Sequence, residues 1–268
     1  MSLHPTAPTE YPVDPPGVRL TRDGPYVAVL TLDHPPANAL SAPVRAAVGR
    51  ALDAVEADTA VRALVLTGVG HFSAGGHLGE ERRARDDGTS ADFLDGVLRL
   101  TDRIEELRVP VVAAVTGGAV GGGLELALAC DIRVAADDAF FVAAGVNVGL
   151  IMSVWRLPRL IGLGPAREML LTGERCDAAT ALRTGLVGTV VPARDLLRTA
   201  CGRAHRIATR APLAVEATKA AVGRAHDLDA DGARALQASH FTRLAGTRDH
   251  RDAVRGVLDR RPAVFTRR

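Results

Sequence analysis

Apolar positions change period several times along this chain, and each change predicts an element. Residues 26–33, YVAVLTLD, alternate and are β-branched, which predicts a strand. HPPANAL reads as a turn, and Ser41 is placed to cap a helix over 42–57 with Pro43 in its first turn. VRALVLTG (61–68) and VPVVAAV (109–115) predict two more strands. Each runs into glycines, VGHFSAGGHLGE after the first and TGGAVGGG after the second. The charged stretch 81–91, ERRARDDGTSA, predicts a mobile irregular loop, and a helix near 91–107 follows it. LELALAC continues the second glycine loop as a helix, and DIRVAADDAFFVAA (131–144) predicts two short extended segments. From Pro165 the pattern is mostly helical around the short strand GLVGTVV, and Pro212 to Leu258 shows no strand pattern.

Strands alternating with helices predict an α/β core, with the composition break at Pro192 to Pro212 marking its boundary with a helical C-terminal part. This gives a loose Pro-rich tail at 1–17, a core at 18–200 and a helical region at 201–268. At 268 residues and 47% apolar, the chain can bury a sizeable core. A net charge of +2 argues against nucleic acid or an anionic membrane as partner. The apolar stretch Val109 to Ala136 is broken by glycines, Glu125 and Asp131, which excludes a membrane span. MSLHPTAPTEYPVDPPG has neither the basic nor the apolar region of a signal peptide. Cys130, Cys176 and Cys201 lack metal-like spacing and fit packing roles in a reducing, cytoplasmic compartment.

The chemistry gathers at GGGLELALACD, residues 121–131. There a carboxylate, Glu125, lies among Leu124, Leu126, Ala127 and Leu128, directly behind three glycines. SAGGH (73–77) and AVGGGLE (119–125) each follow a strand, so neighbouring strands would open both loops on one sheet edge. Glycine leaves N–H groups uncovered there. Phosphate is one ligand for such groups, but neither loop is GxxxxGK[ST]. An oxyanion hole is the other use. Glu125 is then either a salt-bridged helix residue or an acid/base one turn inside the loop.

HPPANALS, HFSAGGHLGE, VPVVAAVTGGAVGGGLELALACDIRVAADDAFF and LTGERCDAATALRTGLVGTVVP, in that order, resemble the crotonase (enoyl-CoA hydratase/isomerase) superfamily. APLAVEATKAAV and RGVLDRRPAVF resemble its C-terminal helices, so the likeness covers roughly residues 18–266. It implies a spiral of ββα units with a helical C-terminal trimerisation region, hence a homotrimer or homohexamer. It implies an acyl-CoA thioester as partner and no cofactor beyond the coenzyme A of the substrate, with no metal. Gly76 and Gly122 would supply the N–H groups that polarise the thioester carbonyl, and Glu125 would be the acid/base. Ala74, His77, Leu78, Gly121 and Gly145 would line the substrate site. Arg260 and Arg261, or Arg82 and Arg83, would meet the phosphates where the family's usual lysine is Gly79.

One departure matters for the reaction. Counting back four residues from Gly149, the family's second glutamate falls on Gly145, and no Asp or Glu lies between Ala139 and Ala166. Hydration of a 2-enoyl-CoA with Glu125 as acid/base is the first expectation. Isomerisation or decarboxylation, and acyl-CoA binding without turnover, are the alternatives. His77, Glu80, Glu81, Asp131 and Asn147 are weak candidates for the missing group, and Asp131 is expected to pair with Arg133 or backbone N–H groups. A hydratase-like pocket predicts that Gly145→Glu raises hydration.

Overall fold

The computed structural model describes residues 17–268, so most of the predicted N-terminal tail lies outside the described residues. The chain begins with β1 (Val18–Asp23), β2 (Val27–Leu32), β3 (Ala39–Leu40), α1 (Ala42–Ala57), β4 (Ala63–Gly68), β5 (Gly75–Gly76) and α2 (Leu78–Asp86). It continues through α3 (Ser90–Glu106), β6 (Val111–Val115), β7 (Gly118–Val120), α4 (Gly122–Leu128), β8 (Ile132–Ala136) and β9 (Phe140–Val142). Then come α5 (Arg156–Ile161), α6 (Leu163–Thr172), β10 (Cys176–Asp177), α7 (Ala178–Thr184), β11 (Thr189–Val191) and α8 (Leu196–Ala208). The end is helical: α9 (Pro212–Ala225), α10 (Ala230–Ala245) and α11 (Arg248–Leu258).

Six strands form one sheet in the order β1-β2-β4-β6-β8-β11, parallel except for the β1–β2 hairpin. β4 and β6 are buried at every position, as continuous apolar runs covered on both faces should be. After β4, β6 and β8 the chain steps into a second layer, where β5 pairs with β3 and β7 pairs with β9. After β5 and β7 a helix follows, α2 and α4 respectively, which gives the strand–strand–helix spiral its repeat.

Three expectations need correction, and one strand is added to those the pattern predicts. The charged stretch after Gly79 is largely helix α2, because His77 caps it: its Nδ1 accepts the Glu80 N–H at 3.2 Å. Ser41 makes no side-chain cap to α1; Glu80 accepts the Ala42 N–H there instead, at 2.9 Å. Residues 18–23 are a strand whose Val18 and Leu20 are buried. The boundary at 200/201 falls inside α8, whose Leu196, Ala200, Cys201, Ala204 and Ala208 belong to the core, so the helical appendage begins at α9.

That appendage is tied on by polar groups. Lys219, the one lysine, is half-buried on α9 and donates to the carbonyls of Ile104 and Val109 and to Asp131 at 2.8 Å. Asp131 also accepts the Val111 N–H, so its cationic partner is Lys219. Arg133 instead donates to the carbonyls of Leu186 and Cys130. The three cysteines are free and buried, and burial pushes the Cys130 thiol up to about 12. Among the described residues no helix is long and apolar enough to cross a membrane.

Candidate active site

Both glycine loops open where their parent strands end, and their backbones touch. A Cβ on Gly75, whose φ is +85°, would lie 2.5 Å from the Val120 carbonyl and 2.6 Å from the Gly122 nitrogen. A Cβ on Gly122 would lie 3.2 Å from the Gly76 nitrogen, and one on Gly123 would overlap the Ser73 carbonyl. Only glycines allow this approach. Gly122 is the first residue of α4, so its N–H has no intrahelical acceptor. Two N–H groups, of Gly76 and Gly122, are thus brought side by side.

The loops are held from behind by residues that sequence reasoning passed over. Ser73 Oγ donates to the Asn38 carbonyl at 2.7 Å and accepts the Gly75 N–H at 3.1 Å. Asn38, itself at φ +54°, donates to the carbonyls of Val69 and His71 and accepts the His34 N–H. Its side chain therefore ties the turn before α1 to the loop after β4. An Asn in PPANAL signals such a turn, because Asn tolerates the left-handed region. On the open side, Phe93 and Val97 of α3 form an apolar wall. A Cβ on Gly76 would meet the Phe93 ring at 2.9 Å, and one on Gly122 would meet Val97 at 3.4 Å.

Glu125 is one turn into α4 and only 2% exposed. Its Oε2 accepts from Arg156 Nη1 at 3.1 Å. The same guanidinium donates to Glu105 at 2.8 Å and to Asp102 at 2.6 Å, both on α3. Burial works against the Arg156 charge, but the hydrogen bonds to Glu105 and Asp102 outweigh it and raise its pKa above the ordinary value. Arg156 was not a candidate in the sequence. Its partners lie 31 to 54 residues away, so no local spacing reveals it. The salt-bridged and acid/base alternatives for Glu125 are compatible: with Oε2 tied, Oε1 remains for chemistry.

The other sequence candidates are distributed unevenly. Gly121 is buried next to Ala144, while Ala74 and Leu78 are exposed beside the first loop. The His77 Nδ1 caps α2, and Glu80 pairs with Arg45 at 3.2 Å, so both side chains serve the fold here. Asn147 donates to the Gly173 carbonyl. Gly145 is buried, and a Cβ there would lie 2.8 Å from the Leu150 carbonyl. A glutamate at 145 would need the backbone to move, so Gly145→Glu should not raise hydration. Arg260 and Arg261 follow α11 and its C-cap Asp259, and Arg261 pairs with Asp259. The segment after them is anchored by Arg62 on the Phe265 carbonyl and by Arg267 on Glu216. Arg62 precedes β4, so this is the edge from which the strands start, and the glycine loops open at the far end. Within one chain the structure does not bring these two arginines to the loops. Among the described residues no cluster of side chains is arranged to hold a metal ion.

A spiral of strand–strand–helix units, with two glycine loops meeting beside a buried glutamate, defines a crotonase-fold protein. This chain belongs to the enoyl-CoA hydratase/isomerase family, whose sequence profile matches residues 23–268. It is 36% identical over 252 residues to the short-chain-enoyl-CoA hydratase of Clostridium acetobutylicum, covering 91% of this chain and 95% of that one. It is likewise 36% identical over 247 residues to the carnitinyl-CoA dehydratase of Salmonella arizonae, covering 90% and 94%. The crystal structure of enoyl-CoA hydratase from Bacillus anthracis superposes with a TM-score of 0.90 at 29% identity, covering 94% of this chain and all of that one.

Proposed function

We propose that the protein is an enoyl-CoA hydratase that adds water across the double bond of a 2-enoyl-CoA thioester, or removes it. The observation that carries this is the meeting of the Gly76 and Gly122 backbones one helical turn before the buried Glu125. The two N–H groups hold the thioester oxygen as negative charge builds on it. Glu125 takes a proton from water as the water oxygen bonds to the β-carbon. It then returns that proton to the α-carbon of the enolate. One C=C π bond is lost, one C–O and one C–H bond form, and the carboxylate is regenerated. One carboxylate suffices for this sequence, so the glycine at 145 is compatible with it. Neither a metal nor a cofactor beyond the substrate's own coenzyme A enters the balance.

The phosphate end of the substrate suits Arg82 and Arg83, which are exposed on α2 just beyond the first loop. We assign the protein to the cytoplasm, in keeping with its three free cysteines. A homotrimer or homohexamer is supported by the C-terminal helices. α10 buries no residue in the single chain, and Val222 and Phe241 are exposed. Light scattering should give three or six copies per particle; a monomer at micromolar concentration overturns this part.

The chemistry is tested by Glu125→Gln, which keeps shape and removes the base. Hydration of crotonyl-CoA should fall by roughly 10²–10⁴-fold, with acyl-CoA affinity little changed. An unchanged rate in the variant removes Glu125 from the mechanism. A wild-type protein that binds several acyl-CoA thioesters and turns over none would be a binding protein instead.

A further inference from the structure

The segment that replaces the second carboxylate is built inside out. Leu150, Ile151, Val154 and Trp155 are exposed, Ile151 to 74%, while the polar Ser153 among them is 5% exposed. Its hydroxyl has no protein partner among the described residues. Its backbone sits at φ +61°, a conformation that non-glycine residues rarely adopt. A buried unpaired hydroxyl and a left-handed backbone are each unfavourable, and such features gather at functional sites.

Its position gives those features a use. A Cβ at Gly145, where the family's second acidic side chain would start, points to within 3.1 Å of the Met152 nitrogen. Ser153 is the next residue. One turn further on is Arg156, whose guanidinium holds Glu125, and the Leu157 N–H donates to the Ser153 carbonyl at 3.3 Å to close that turn. Along the chain the serine thus stands between Met152, which a side chain at 145 would meet, and Arg156, which fixes Glu125. A hydroxyl donates one hydrogen bond and accepts two, which matches water. It does not titrate near neutral pH, so the proton transfers stay with Glu125.

Resting on the hydratase reading, we propose that Ser153 Oγ hydrogen-bonds the water that adds to the double bond, and then the β-hydroxyl group of the product. It orients the nucleophile that a second carboxylate would otherwise hold.

Ser153→Ala and Ser153→Gly test this, with 3-hydroxybutyryl-CoA and butyryl-CoA as calorimetric probes. The wild type should prefer the hydroxylated thioester. Both variants should lose about fivefold of that preference, the worth of one neutral hydrogen bond, while butyryl-CoA binds as before. Crotonyl-CoA turnover should fall with them. Neither variant should melt lower than wild type, because each removes an orphaned hydroxyl and glycine also relieves the positive φ. A preference unchanged in both variants overturns the proposal, as does a loss of turnover that merely follows a lower melting temperature. If the wild type binds neither thioester, the acyl-CoA reading itself fails, and this inference falls with it.

Discussion

The glycine loops and the 145–156 segment both lead to Glu125, one by running into its helix and the other through Arg156, yet they are determined in opposite ways. In the loops, each atom's place is forced by backbone meeting backbone: Gly75 against Val120 and Gly122, Gly123 against Ser73. The 145–156 segment carries exposed apolar side chains, a strained serine and one arginine shared by three carboxylates. On the proposed mechanism the loops fix where the thioester oxygen goes, and little variation is compatible with that. On the same mechanism the other segment decides what reaches the β-carbon, and there Gly145 stands where the resemblance implies a second carboxylate. Family membership is written in the first region and reaction detail in the second.

The comparison predicts that the smallest change in the loops has the largest effect. Gly123→Ala adds one methyl group, but its Cβ would overlap the Ser73 carbonyl, and Ser73 also holds the Gly75 N–H. Either α4 or the first loop must shift, so the two N–H groups no longer converge. Losing one oxyanion donor is worth 10²–10³-fold in rate, and disturbing both should lower crotonyl-CoA turnover by about 10³-fold and weaken thioester binding together. Steady-state kinetics with calorimetry on the folded variant checks this. Near-normal turnover would mean that the backbones need not meet.

The same contrast explains what was legible in the sequence. Close backbone approach leaves a mark that composition cannot hide, a cluster of glycines behind a strand, so both loops and Glu125 could be read directly. Helix α2 left a weaker mark. Its charged stretch looks irregular, because its cap is a histidine, whose Nδ1 accepts the Glu80 N–H, rather than one of the usual Ser, Thr, Asp or Asn. Helix α8 was split by a composition argument, although Leu196, Ala200, Ala204 and Ala208 recur every fourth residue and face the sheet. Arg156 and Ser153 were beyond reach for a different reason. An arginine's carboxylates can come from anywhere in the chain, and a serine's positive φ is invisible until the chain is folded.

Arg156 allows the comparison to be sharpened at smaller amplitude. Arg156→Met leaves Glu125 buried without its cation, and breaking a buried ion pair from one side costs about 3–5 kcal/mol. Glu105 and Asp102 are better solvated than Glu125, with 37% and 56% of their side chains exposed, so the loss falls mainly on Glu125. Freed at Oε2, the carboxylate is displaced from the reacting carbons, and misplacement on the scale of 1 Å can cost about 10²-fold. Turnover per folded molecule should fall by about that factor. KM should change much less, because Gly76, Gly122, Phe93 and Val97 still hold the thioester. Arg156→Lys should recover only part of the rate, since an ammonium cannot span three carboxylates as the planar guanidinium does. If both variants melt lower but turn over normally once folded, Arg156 is only a tie between α3 and α5. The second region would then act on the β-carbon through Ser153 without help from its arginine.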